Sequence, residues 1–263
     1  MKAKLALYLL LLTMLGCRDQ SDFTDQKNNM VVAHQGAWKT DGLPSNSIAS
    51  LRKAIALKCY GTEFDVHLTK DDVLVVNHDK DFYGLDIATS TYDELLSKKH
   101  PNGESIPKAE AYIREGMKQN QTKLVFELKP SNLGKERALR SADLTVELVK
   151  ASGADEWVEY ILFDYDAAKR IIELDAQAKV FYLNGDVEPS QAKADGFYGL
   201  DYNMKVFREH PDWIKTAHEL GLAINVWTIN EEEEMQHFID LGADFITTDE
   251  PEKLLTLLRE KNK

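Results

Sequence analysis

Gly61-Thr62-Glu63-Phe64-Asp65-Val66-His67-Leu68-Thr69-Lys70-Asp71-Asp72-Val73-Leu74-Val75-Val76-Asn77-His78-Asp79 is the stretch on which the reading of this chain turns. With a strand period of two, Glu63, Asp65 and His67 share one face and Phe64, Val66 and Leu68 the other. The apolar face needs a covering layer, while the opposite face carries two carboxylates. Carboxylates at i and i+2 start about 6 to 7 Å apart at the backbone, so side chains leaning together can place oxygens around one hard divalent cation. Taken alone, the same alternation describes an ordinary solvated strand face. A turn at Lys70-Asp71-Asp72 and the apolar ribbon Val73 to Val76 then bring His78-Asp79 back beside the carboxylates, which adds a titratable imidazole to a metal platform.

Working outward, short β-type runs alternate with helical ones. Met30 to Ala33 reads as a first strand, and Pro44-Ser45-Asn46-Ser47 opens a helix with Ile48, Leu51, Ile55 and Ala56 on one face. Further strands are expected at Lys123–Glu127, Val158–Phe163, Lys179–Leu183, Asp195–Gly199, Leu222–Thr228 and Asp244–Thr247. Without the ribbon, strands lie near residues 32, 63, 125, 161, 181, 197, 225 and 246, with helical crossovers between them. That count over about 250 residues predicts a closed α/β TIM (β/α)8 barrel. A doubly wound open sheet is the alternative, but His34-Gln35-Gly36, and no glycine-rich phosphate loop, follows the first strand. The segment 80–105, with Gly84, Pro101 and Gly103, reads as a small insertion after the second strand, carrying one short helix near Thr91 to Leu96. Asn230 before four glutamates reads as a helix cap whose acidic first turn suits the helix dipole, and Thr248-Asp249-Glu250-Pro251 as a strand end followed by a cap.

The 263 residues and 43% hydrophobic content support one domain, residues 30–263, with a substantial core. A net charge of -12 leaves no basic stripe for nucleic acid and no electrostatic attraction to anionic lipid. Lys2 and Lys4 precede the apolar run Leu5 to Leu12, too short for a membrane span and the right length for a signal-peptide core. Met14-Leu15-Gly16-Cys17 closes it and resembles the lipobox of bacterial lipoproteins. The expectation is therefore a signal peptide over 1–16, lipidation at Cys17, a flexible polar tether over 17–29, and a domain held in the bacterial cell envelope by its N-terminal lipid only. Cys59, left without a partner, is expected to be a buried and inert thiol.

In a β/α barrel, chemistry gathers at the carboxyl ends of the strands. His34, Glu63 with Asp65, His78, Glu127 with Lys129, and Trp227 all occupy such ends. The set His34-Gln35-Gly36, Pro44-Ser45-Asn46-Ser47, Glu63-Phe64-Asp65, Thr69-Lys70-Asp71-Asp72, His78-Asp79, Glu127-Leu128-Lys129, Trp227-Thr228 and Gly242 to Asp249 runs in order from about residue 30 to the end. It resembles the metal-dependent, barrel-type glycerophosphodiester phosphodiesterase family, whose motifs are H-R-G, P-E-N-T, E-x-D, T-K-D-G, H-D, E-x-K and a late tryptophan.

The resemblance implies metal-dependent hydrolysis of a small-molecule phosphodiester to glycerol 3-phosphate and an alcohol. Glu63, Asp65 and Glu127 would hold one divalent cation, Mg²⁺ or Ca²⁺. His34 and His78 would act as general base and general acid. Gln35, Lys129 and Trp227 would contact substrate, Lys129 by balancing phosphate charge and Trp227 as a pocket wall. Two departures stand out: Gln35 replaces an arginine able to grip phosphate bidentately, and Ser45 replaces a rim glutamate. Neither removes a proposed metal ligand or histidine, so activity is expected to survive with altered phosphate affinity or substrate choice. One alternative is a phospholipase-type enzyme acting on lysophospholipids or phosphoinositides; the two departures motivate another, a catalytically weakened phosphodiester-binding lipoprotein. The sequence leaves the oligomeric state open.

Overall fold

The computed structural model describes residues 29–261, so Cys17, the 1–16 segment and nearly all of the 17–29 tether lie outside the described residues. The strands are β1 (Val31–Ala33), β2 (Gly61–Leu68), β3 (Leu74–Val76), β4 (Asp81–Phe82), β5 (Leu85–Asp86), β6 (Lys123–Leu128), β7 (Val158–Leu162), β8 (Lys179–Tyr182), β9 (Gly199–Asn203), β10 (Ala223–Trp227) and β11 (Phe245–Thr248). The helices are α1 (Ile48–Ala56), α2 (Tyr92–Leu95), α3 (Ala109–Gly116), α4 (Lys135–Ala151), α5 (Tyr165–Leu174), α6 (Pro189–Ala194), α7 (Met204–Glu209), α8 (Trp213–Glu219), α9 (Glu232–Asp240) and α10 (Pro251–Lys261). The main sheet runs β1-β11-β10-β9-β8-β7-β6-β2-β3, and an additional β1–β2 pairing closes its parallel strands into a barrel. β3 hangs antiparallel on the outer length of β2, pairing His67 with Val75.

Alternation along β2 sorts its side chains as the period of two requires. Phe64, Val66 and Leu68 face outward into the layer shared with the helices, whereas Glu63 and Asp65 face the barrel interior. Inside the ring, Val32, Val125, Ile161, Phe181 and Leu183 pack into a separate apolar plug beneath the mouth. Close approach within the ring explains Gly199, where a Cβ would stand 2.4 Å from the Ala223 carbonyl and 2.5 Å from the Phe181 ring. Cys59 is buried at 1% exposure and its thiol is pushed up to about 12 by burial, so it is inert, as expected.

Two expectations need correction. The strand expected at Asp195–Gly199 lies at Gly199–Asn203 instead, because Asp195 and Gly196 close α6, with Gly196 at φ 84° and the Phe197 N–H returning to the Ala192 carbonyl. The aromatic pair Phe197-Tyr198 resembles a strand only by propensity. Asn230 does not cap α9: Glu231 holds the cap position without a side-chain bond, and the Asn230 side chain turns toward the barrel mouth. Helices α6 and α7, both short, were not expected from the periodicity of the sequence.

The expected insertion is a β4–β5 hairpin and the single-turn α2, packed on a small core of Val75, Phe82, Ile87, Leu95 and Ile106. It is tied to the start of α1, where Ile48 N–H donates to Glu104 Oε2 at 3.0 Å.

Candidate active site

Parallel pairing of β2 with β6 sets Asp65 beside Glu127 in register, and Glu63 one inward-facing step below. The three buried carboxylates offer ligand oxygens that all lie within 4.8 Å of one another. Each is held by its own support. Glu63 Oε2 accepts the Gln35 N–H at 2.7 Å, while Glu63 Oε1 has no hydrogen-bond partner although fully enclosed. Asp65 Oδ2 accepts from Asn46 Nδ2 at 2.7 Å, and the Asp65 N–H donates to Asn46 Oδ1 at 2.9 Å. Lys129 Nζ sits 3.0 Å from Asp65 Oδ1 and 2.6 Å from Glu127 Oε1.

Burial first, and then the neighbouring Asp65 and Glu127 charges, push the Glu63 carboxyl well above its ordinary range. Glu127 is pushed up to about 7 by burial and by Asp65. Burial works against the Lys129 ammonium, but Asp65 and Glu127 overcome it and hold its pKa above the usual value. Three buried carboxylates facing one lysine leave excess negative charge in a confined space. All the donors are hard oxygens and one of them is orphaned, so the residues present fit an oxygen-ligated divalent cation.

Two imidazoles face each other above this cluster. His34 and His78 have ring centroids 6.4 Å apart and planes at 80°. His34 Nδ1 lies 2.7 Å from Asp249 Oδ1, and Asn230 fixes Asp249 by donating to its Oδ2 at 2.8 Å and accepting its N–H at 2.9 Å. With the Nδ1 proton given to Asp249, Nε2 is the nitrogen turned to the site, 4.0 Å from Glu63 Oε2. Burial lowers the His34 pKa, yet the Asp249 bond and charge outweigh it and the net shift is upward. His78 is half exposed, with Nδ1 2.9 Å from Asp79 Oδ1, and its carbonyl accepts from His67 Nε2 at 3.1 Å.

The turn after β1 has its own geometric demand. Gln35 and Gly36 are both left-handed, at φ 56° and 79°. A Cβ on Gly36 would come within 2.7 Å of the Ser50 backbone, so only glycine lets the turn press onto α1. This turn aims the Gln35 N–H at Glu63 and leaves the Gln35 amide 3.5 Å from His34 Nε2.

A cavity of about 200 Å³ opens between the histidines and the barrel wall. One side is polar, with Glu63, Glu127 and Lys129; the other is apolar, with Ile161, Phe163, Leu183 and Trp227. The Trp227 ring stands edge-on to Phe163, and its Nε1–H donates to the Asp201 carbonyl at 2.8 Å. The Asp201 carboxyl at the cavity floor is raised to about 8 by burial.

The structure thus brings His34, His78, Glu63, Asp65, Glu127, Lys129 and Trp227 to one barrel mouth, with Gln35 at its edge. Lys129 is engaged by two carboxylates, the ion pair that its spacing from Glu127 also allowed. Four residues were not singled out as site residues from the sequence: Asp249 and Asn230 behind His34, Asn46 behind Asp65, and Asp201 below. In the sequence Asp249 and Asn230 read as parts of helix starts, and nothing local links them to residue 34. Asn46 and Asp249 each lie within a motif that carries the family resemblance, and that membership is the signal pointing to them.

Comparison with known proteins agrees with this geometry. The model of the glycerophosphoryl diester phosphodiesterase family matches residues 34–253. A glycerophosphodiester phosphodiesterase of Caldanaerobacter subterraneus subsp. tengcongensis is 28% identical over 258 residues, covering 88% of this chain and 98% of that protein. The crystal structure of a glycerophosphodiester phosphodiesterase from Parabacteroides distasonis superposes with a TM-score of 0.87 at 44% identity, covering 90% of this chain and 99% of the other. An Oleispira antarctica phosphodiesterase, solved in complex with the product sn-glycerol-3-phosphate, shares the fold with a TM-score of 0.75 at 22% identity, over 88% of this chain and 96% of that one. A match over most of the barrel, joined to a mouth built from these acids and imidazoles, places the chain in the glycerophosphoryl diester phosphodiesterase family.

Proposed function

We propose that this phosphodiesterase cleaves glycerophosphodiesters to glycerol 3-phosphate and an alcohol by general acid–base catalysis between His34 and His78, with one divalent cation, Mg²⁺ or Ca²⁺, held by Glu63, Asp65 and Glu127. The observation that carries this reading is the pair of facing imidazoles 6.4 Å apart above three converging buried carboxylates. A bound cation would withdraw charge from the phosphate oxygens and stabilise the charge that develops on them.

The chain's own residues supply the rest. Asp249 holds the Nδ1 proton of His34, so Nε2 is free to take the proton of the attacking hydroxyl, from water or from the glycerol hydroxyl next to the phosphate. His78 borders a wider cavity on its far side, which suits it to protonate the departing alkoxide. Lys129 adds positive charge beside the phosphate, and the wall of Phe163, Leu183 and Trp227 covers the glycerol carbons and excludes water.

The test is an assay of the purified protein on glycerophosphodiesters with Mg²⁺, Ca²⁺ and a chelator, together with Glu63→Ala. Chelation should abolish turnover, and the variant should remain folded with activity reduced at least a hundredfold, to roughly the loss expected on removing charge stabilisation. Retained activity in a folded Glu63→Ala protein would refute the reading. Comparing water-soluble diesters with lysophospholipid micelles separates it from a phospholipase-type activity.

For its address, we propose that the chain is a lipoprotein of the bacterial cell envelope, cleaved before Cys17 and lipidated there. The support is the sequence Met14-Leu15-Gly16-Cys17 after a short apolar run. Among the described residues, no helix is long and apolar enough to cross a membrane. Labelling with a radioactive fatty acid in wild type and Cys17→Ser tests this, since equal incorporation in both would exclude Cys17 as the anchor.

A further inference from the structure

Helix α1 begins with no acidic residue in its first turn, although Ser47 and Ser50 form a capping box there. The N–H of its first residue, Ile48, instead donates to Oε2 of Glu104, 56 residues later in the chain. A carboxylate at this end satisfies an orphan donor and meets the positive end of the helix dipole. Glu104 comes from the insertion and is itself held firmly. Its Oε1 accepts from Asn102 Nδ2 at 2.9 Å, its N–H donates to Asn102 Oδ1 at 3.1 Å, and its carbonyl accepts the His100 N–H at 2.8 Å.

The start of α1 is also where two of the three clustered acids are supported. Asn46, left-handed at φ 58° just before the helix, makes both side-chain bonds to Asp65. The Asn46 N–H and the Ser50 hydroxyl both donate to the Gln35 carbonyl, at 2.9 and 3.0 Å, and the Gln35 N–H donates to Glu63. A shift of this turn therefore reaches Asp65 directly and Glu63 through Gln35. Groups that orient ligating carboxylates govern metal affinity nearly as strongly as the ligands do.

We infer that Glu104 is a positioning residue for the acidic cluster: by pinning the Ile48 N–H it fixes the Asn46 turn, and through that turn the aim of Asp65 and Glu63. The insertion thereby acts on the cation site without contributing a ligand to it. This rests on the reading that these acids hold a divalent cation.

The experiment is calorimetric titration of Mg²⁺ and Ca²⁺ into the purified, metal-stripped protein. Glu104→Ala should weaken cation binding about tenfold, whereas Glu104→Gln, which keeps an acceptor oxygen within reach of Ile48, should stay within about threefold of wild type. Thr91→Ala removes the cap of α2 and loosens the insertion without touching Glu104, so it should leave the affinity unchanged. Unchanged affinity in folded Glu104→Ala, a Glu104→Gln protein as weak as Glu104→Ala, or an equal loss in Thr91→Ala overturns the inference. If Glu104→Ala does not fold, Glu104→Asp, whose carboxylate is retracted by one methylene, is judged by the same criterion. Should the wild type bind neither cation, the metal reading fails by itself. Hydrogen exchange in the cation-free protein then decides: the Asp65 amide, which donates to Asn46, should exchange faster in Glu104→Ala while that of Phe126 on β6 is unmoved, and an unchanged Asp65 rate overturns the positioning role.

Discussion

Replacing Glu127 by glutamine should make the cation-free protein more stable and at the same time inactive. Glu127 is enclosed beside Asp65 and Glu63, and its carboxyl is pushed from 4.5 up to about 7. Since the unfolded chain ionises this group near 4.5, the folded protein holds the extra proton between those two values. Stability therefore falls as pH rises through that window and levels off above it. Each pH unit of the difference corresponds to about 1.4 kcal/mol, so at neutral pH the cost to the cation-free fold is about 3 kcal/mol. Glutamine has the same shape and no charge to desolvate, and Lys129 keeps its 3.0 Å contact with Asp65. In thermal melts with a chelator at pH 8, Glu127→Gln should melt about 10 °C above wild type, and the gap should close near pH 4. Added Mg²⁺ or Ca²⁺ should raise the melting temperature of wild type and leave the variant nearly unmoved. If Glu127→Gln melts below wild type at pH 8 in chelator, the crowding of negative charge argued from the geometry is wrong.

Three further outcomes follow from the same site. Asp249→Asn should lower kcat by about a hundredfold. Because Asp249 raises the His34 pKa and a base must be neutral to act, the acid limb of the kcat/KM profile should also move to lower pH; an unmoved limb would show that His34 is not the titrating base. Gly36→Ala places a Cβ against the Ser50 backbone at a left-handed φ, and should cost about 3 kcal/mol in urea unfolding. Gln35→Arg should tighten glycerol 3-phosphate binding about fivefold in calorimetry by adding a charge-assisted donor beside His34; unchanged affinity would place this side chain outside the phosphate site.

Local signals were enough for the barrel because they are redundant. Each β/α unit repeats an apolar run, a crossover helix and a turn, so a misplaced strand such as 195–199 leaves the count intact. The error there arose because aromatic propensity at Phe197-Tyr198 is local, whereas the end of α6 at Gly196 depends on how that helix docks. Glu63 and Asp65 were legible as one inward face because the strand period is fixed by the backbone itself.

The sequence by itself determined which side chains gather at the barrel mouth: two histidines, three acids and a lysine, carried on or just after strands that open toward it. What only the tertiary structure decided was their partners. The β2–β6 register sets Asp65 beside Glu127, and ring closure carries Asp249, 215 residues away in sequence, to His34 Nδ1. The antiparallel return of β3 presents His78 to both cavities. A strand's periodicity states which way a side chain points, but the hydrogen-bond register between strands distant in sequence is set by packing of the whole ring, and no local window contains that information.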